Sequence, residues 1–336
     1  MLYKIEATDT MGHLFRHIPH IVLAGCIPAC LTMYSCVYQY PDESCGLVPE
    51  ADGVKVNFDW VNNPMPEPPG MSVYFYPTDG GDFYSYNLDR SGLAVNLPDG
   101  WYDAVSFNYD SENVIVISDA SYSTIAFTTR PAKITDGLRQ DYSGVRPPES
   151  REEVEGQTVM NQPQYSWCAT ATDRHLTRGD SITLTPHNIV SRYRIVVNDI
   201  TNLHSVSRMS LSLSGLAGQY HASSGIAPDE VPVILPGSVS PESENSISGV
   251  MLTFGRAPSV ANNTLRLYLW LTDGEKKVYE WDVAEQIVSA PNQRQLTITV
   301  GGITLPDLTP VQPPEGEEGM KVDVDNWEVI DIELST

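Results

Sequence analysis

Residues 97–108 read LPDGWYDAVSFN, and the fold class turns on them. Pro98-Asp99-Gly100 is a turn: proline presets its dihedral, aspartate bonds its own backbone and glycine accepts a positive φ. It separates two stretches of strand character, Leu93–Leu97 and Trp101–Asn108. The pattern extends outward. In Val54–Trp60, VKVNFDW, Val54, Val56, Phe58 and Trp60 fall on one side, with Lys55, Asn57 and Asp59 on the other. That period of two marks a half-buried strand. A loop with Pro64, Pro66, Pro68, Pro69 and Gly70 leads to Met71–Tyr76, MSVYFY, and Pro77-Thr78-Asp79-Gly80-Gly81 turns the chain into Phe83–Leu88. Val114–Ser118 and Ser123–Thr129 follow. Short strands at this spacing predict an all-β sandwich.

A second block begins near Thr158. Its candidate strands are Tyr165–Thr172, Ser181–Thr185, Tyr193–Val197, Arg208–Leu213, Gly249–Phe254, Leu265–Leu271, Lys277–Trp281 and Gln295–Val300. Helical signal is confined to Val283–Val288. Between the blocks, 131–157 has little hydrophobic periodicity and carries Arg139, Arg146 and Arg151, which predicts a linker or long loop. The expected organisation is therefore two tandem β-sandwich domains, 54–130 and 158–304. Residues 305–319, LPDLTPVQPPEGEEG, form a Pro/Gly/Glu-rich tether, and 320–336 a C-terminal strand. Val322, Val324, Ile330, Ile332 and Leu334 are its candidate partner-strand residues. The tether reaches roughly 45 Å when extended, so the strand can pair within its own chain or with a neighbour. Pairing within the monomer is the expectation, because an unpaired strand is an aggregation hazard.

The N-terminal end has its own grammar. Ile21–Tyr34, IVLAGCIPACLTMY, is an apolar run too short to span a bilayer but suited to the core of an export signal. It closes on Ser35-Cys36, followed at once by polar residues. This predicts a signal peptide over 1–35, a lipidated Cys36 and a tether over 36–53. Cys26, in Leu23-Ala24-Gly25-Cys26, competes as the acylated residue, but Pro19 and His20 interrupt the run before it.

The chain has 336 residues, with 20 Lys and Arg against 43 Asp and Glu, a net charge of −23. Such a surface repels phosphate backbones, which excludes nucleic acid as a partner. His175, His187, His204 and His221 sit singly, and no catalytic or phosphate-binding motif is present, so neither an enzyme nor a metal site is expected. The expected cofactor list is empty apart from the covalent lipid. Asp79, Asp82 and Asp89 are explained by turn chemistry. Cys45 and Cys168 are free to pair or to remain thiols. The functional-looking surplus is tyrosine: Tyr74, Tyr76, Tyr84 and Tyr86 are candidate ligand-stacking residues on an exposed sheet face.

The export signal, VKVNFDW…PPGMSVYFYPTDGG…LPDGWYDAVSFN and WCATAT…ITLTPHNIVSRYRIVVN together resemble the fimbrillin-like and fimbrial-anchor lipoproteins of Bacteroidetes. The resemblance covers roughly residues 36–300. It implies two tandem transthyretin-like (Greek-key) sandwiches, a lipid on the mature first cysteine and an outer-membrane, cell-surface location. It also implies fimbrial subunits or other surface proteins as partners. Polymerising subunits of that group lose an N-terminal strand after an arginine, and here no arginine lies between Cys36 and Arg90. The expected function is thus a non-enzymatic surface lipoprotein acting in fimbrial anchoring, assembly or adhesion through β-strand contacts. A surface glycan-binding lipoprotein using the Tyr-rich face is the alternative.

Overall fold

In chain order the first strands are β1 (Val54–Phe58), β2 (Gly70–Pro77), β3 (Tyr84–Asp89), β4 (Ala94–Val95), β5 (Gly100–Asn108), β6 (Val114–Ile117) and β7 (Ala126–Thr129). After 131–157 come β8 (Thr158–Val159), β9 (Trp167–Leu176), β10 (Ser181–Leu184), β11 (His187–Asn188), β12 (Ser191–Thr201), β13 (Val206–Ala217) and β14 (Gln219–His221). Then follow β15 (Pro232–Gly237), β16 (Ser240–Ser243), β17 (Ser246–Thr253), β18 (Thr264–Leu271), β19 (Lys276–Asp282), helix α1 (Ala284–Val288), β20 (Gln295–Thr304) and β21 (Trp327–Asp331). The computed structural model describes residues 52–60, 68–134 and 157–308, and the backbone of 327–331. Cys26, Cys36 and Cys45, the signal peptide, Val322, Val324, Ile332 and Leu334 lie outside the described residues.

The fold is all-β, as the alternation predicts. Sheet β10-β1-β4 packs on sheet β11-β9-β5-β2-β3. Val54, Val56, Val95, Ile182 and Leu184 of the first meet Val73, Phe75, Leu88, Tyr102 and Ala104 of the second in one core. The turn from β3 into β4, which passes close over β1, explains a glycine: Gly92 has φ +80°, and a Cβ there would lie 2.0 Å from the Val56 carbonyl oxygen. A second sandwich joins β16-β17-β12-β20 to β21-β19-β18-β13-β15-β8. Its core is mostly aliphatic, with Ile195, Val197, Leu213, Leu265, Leu267 and Ile298 at most 1% exposed.

The expected boundary at 131–157 is corrected by strand pairing. β9 pairs antiparallel with β5, and β10 parallel with β1. Residues 167–188 thus complete the first sandwich, and the sheets change over near Ile189. The two blocks also exchange smaller pieces. β14 pairs with β7, and β8 with β15. All these strands belong to one compact unit. Local periodicity finds strands but carries no information on partners more than a hundred residues away, which is why the boundary was misplaced. Strands β8, β11, β14, β15 and β16 were missed: they are two to six residues long, and Pro232, Pro236 and Pro241 hide β15 and β16.

The C-terminal strand β21 runs parallel to β19 of the same chain, with Lys276 opposite Trp327 and Tyr279 opposite Ile330.

Candidate functional site

The tyrosines do not form an outward face. Tyr76 and Tyr86 are each 6% exposed. The sheet carrying β2 is covered on both sides, and its second face meets β6, β7 and β14 through Val105, Phe107, Ile125, Phe127 and Cys168. Tyr76 sits in that layer, and its hydroxyl donates to the Asp119 carbonyl at 3.0 Å. Tyr86 faces the opposite core and its hydroxyl donates to the Asn96 carbonyl. Tyr74 is half-buried, stacked on Phe83 with ring centroids 4.5 Å apart. Burial, then the Asp119 carboxylate, pushes its hydroxyl above the usual tyrosine range. Tyr84 is exposed, at the sheet edge, with its ring edge-on to Tyr102. A run of alternating Tyr looks one-sided in sequence; it fills two cores because a third layer lies over the sheet.

Of the candidate stacking quartet, only Tyr84 is open to solvent. The most exposed large ring nearby is one the sequence reading passed over: Trp101, opposite His175, with centroids 5.0 Å apart.

An open strand edge is the larger feature. β20 spans ten residues and, among the described residues, pairs only with β12. Thr299 turns both backbone groups away from β12. Its N–H donates to Gln286 Oε1 at 2.9 Å, and its carbonyl accepts from Gln286 Nε2 at 2.9 Å. The α1 side chain thus imitates one residue of a neighbouring strand. By the period of two, Thr297 turns its own N–H and C=O outward as well. Among the described residues, Gln286 blunts one position of a long edge and leaves its neighbours open.

Reaction chemistry finds little to build on. Among the described residues no three His, Cys, Asp or Glu gather where they could hold a metal ion. His204 Nε2 lies 2.9 Å from Asp307 Oδ1, an exposed pair. Cys168 is buried and unbridged, and burial pushes its thiol up to about 12. Among the described residues no helix is long and apolar enough to cross a membrane.

Known proteins resemble this chain in sequence and in fold. A candidate fimbrium-anchoring subunit, Fim4B, of Bacteroides ovatus is 36% identical over 76 residues, a match spanning 22% of each chain. The crystal structure of a candidate adhesin from Bacteroides ovatus superposes with a TM-score of 0.58 at 18% identity, covering 76% of this chain and 93% of that one. The fimbrial anchor protein Mfa2 of Porphyromonas gingivalis superposes with a TM-score of 0.49 at 14% identity, over 74% of this chain and 90% of its own. A family model described as a domain of unknown function, DUF5119, matches residues 40–235, more than half of the sequence, and the chain belongs to that family.

Proposed function

We propose that this protein is a non-enzymatic surface protein that anchors or assembles fimbriae, gripping a fimbrial subunit by strand addition. The observation that carries the reading is the ten-residue β20 edge, which among the described residues has one neighbouring strand and a single side-chain cap, Gln286. An added strand gains main-chain hydrogen bonds along such an edge, while the side chains it lays against the sheet give selectivity. The Fim4B likeness supports a fimbrial partner. A lipid on Cys36 would hold the protein at the outer membrane and leave the β body facing outward. The glycan alternative loses most of its support with the burial of Tyr76 and Tyr86.

The test is genetic and biochemical. Deleting the gene should release fimbriae into the medium while their subunits remain abundant, and mass spectrometry of the membrane-extracted protein should find the lipid on Cys36. Fimbriae that stay fully attached, in cells whose protein otherwise binds a glycan array, would replace this reading with the glycan one.

A further inference from the structure

A cavity of about 460 Å³ opens beside the junction of the two sandwiches. β12 contributes Ser191 and Tyr193, β14 contributes Tyr220, the segment after β17 contributes Phe254 and Arg256, and Arg294 precedes β20. Two guanidinium groups in one cavity are unusual in a chain of net charge −23. Neither has a carboxylate partner among the described residues. Arg256 Nε donates to Asn263 Oδ1 at 2.7 Å, and its Nη2 to the Val260 and Ala261 carbonyls. Arg294 Nη2 donates to the Asn188 carbonyl. All of these acceptors are neutral, so both charges are positioned but not neutralised.

Tyr193 supplies the second observation. It is 1% exposed, lines the cavity, and its hydroxyl has no hydrogen-bond partner among the described residues. That hydroxyl keeps its donor free for a ligand atom in the cavity. Burial pushes this hydroxyl up to about 12, with Arg256 opposing, so it stays a protonated donor. The rest of the wall is mostly apolar, with Ile226, Phe254, Pro258, Ile287 and Val288, and adds the Gln293 amide.

We infer that this cavity binds a small carboxylate with an apolar body, its carboxylate between Arg256 and Arg294 and accepting a hydrogen bond from Tyr193. Arginine suits the planar anion, and the apolar wall suits a branched or aromatic body. Arg256 is half-buried, which strengthens pairing on its side of the cavity, while the exposed Arg294 adds a hydrogen-bonding fork at the mouth.

The test is calorimetric titration of the purified protein with isovalerate, 3-phenylpropionate and indole-3-acetate, each beside its primary amide, and with glucuronate. At least one apolar acid should bind ten-fold or more tighter than its amide and than glucuronate. Arg294→Gln and Tyr193→Phe should each weaken it several-fold, while circular dichroism and the melting temperature show both variants folded. Arg256→Gln is the less useful variant, because Arg256 also ties down residues 260–263. Equal binding of acid and amide, binding indifferent to both folded variants, or no binding of any acid at millimolar concentration would overturn the site. Preference for glucuronate would overturn the apolar-body assignment. None of these outcomes depends on fimbrial attachment.

Discussion

The two sandwiches reach similar burial with different chemistry. The first is pegged by aromatics whose polar ends find loop carbonyls: Tyr86 on Asn96, Tyr102 on Pro98 at 2.8 Å, Tyr76 on Asp119. The second is filled by Leu, Ile and Val from facing sheets. A tyrosine peg fixes a loop as well as a core, because its hydroxyl must be satisfied where it ends. An aliphatic core says nothing about its loops. The second sandwich spends its polar side chains elsewhere, as in Gln286 at the β20 edge and in the Arg266–Glu280 pair at 2.6 Å. The lesson is that a tyrosine surplus need not signal a binding face, and that a long bare edge is easier to overlook than a ring.

Core truncation should give the largest effect and break the comparison first. Phe75→Ala and Leu267→Ala each remove a side chain at most 1% exposed. Each is expected to cost about 3–5 kcal/mol in chemical denaturation. Since the strands form one compact unit, one unfolding transition is expected for both variants; two separate transitions would show that the sandwiches fold independently.

Backbone strain comes next. Gly92→Ala places a Cβ against the Val56 carbonyl at positive φ, and should destabilise by more than about 1 kcal/mol. Gly81→Ala also meets positive φ, at +112°, but nothing lies within 4 Å of its Cβ, so it should cost less. Equal melting temperatures for the two variants would contradict the close approach at Gly92.

A smaller effect separates peg from filler. Tyr102→Phe removes only the hydroxyl that donates to Pro98, and should cost about 1 kcal/mol. Tyr84→Phe, at an exposed ring, should be near neutral in the same melting assay. The smallest readout is chemical. Cys168, 0% exposed with its thiol pushed up to about 12, should resist iodoacetamide at pH 8 until the protein unfolds. Peptide mass spectrometry distinguishes that label from any on Cys45.

The strands of the fold were legible because period-two patterns and Pro/Gly turns are local. Val54–Phe58, Met71–Tyr76, Trp101–Asn108 and Leu265–Leu271 could be read directly. Their partners could not: nothing in Ser181–Leu184 announces that it lies parallel to β1. The candidate site was less legible still. Alternation distinguishes two faces of a strand but cannot say that a third layer buries the second face, which is what happened to Tyr76. The Gln286 cap and the Arg256–Arg294 cavity join residues far apart in sequence or on opposite sides of a turn, so no spacing rule finds them.

The most direct measurement of edge against ring is recovery of fimbrial subunits with the protein from detergent-extracted outer membranes. Thr297→Pro deletes one outward N–H that β12 does not use, so the monomer should melt close to wild type while subunit recovery falls sharply. Tyr84→Ala combined with Trp101→Ala should leave recovery unchanged. Full recovery with the folded Thr297→Pro variant, and loss with the Tyr84 and Trp101 double variant, would contradict strand addition at β20 and return the exposed rings to the centre of the function.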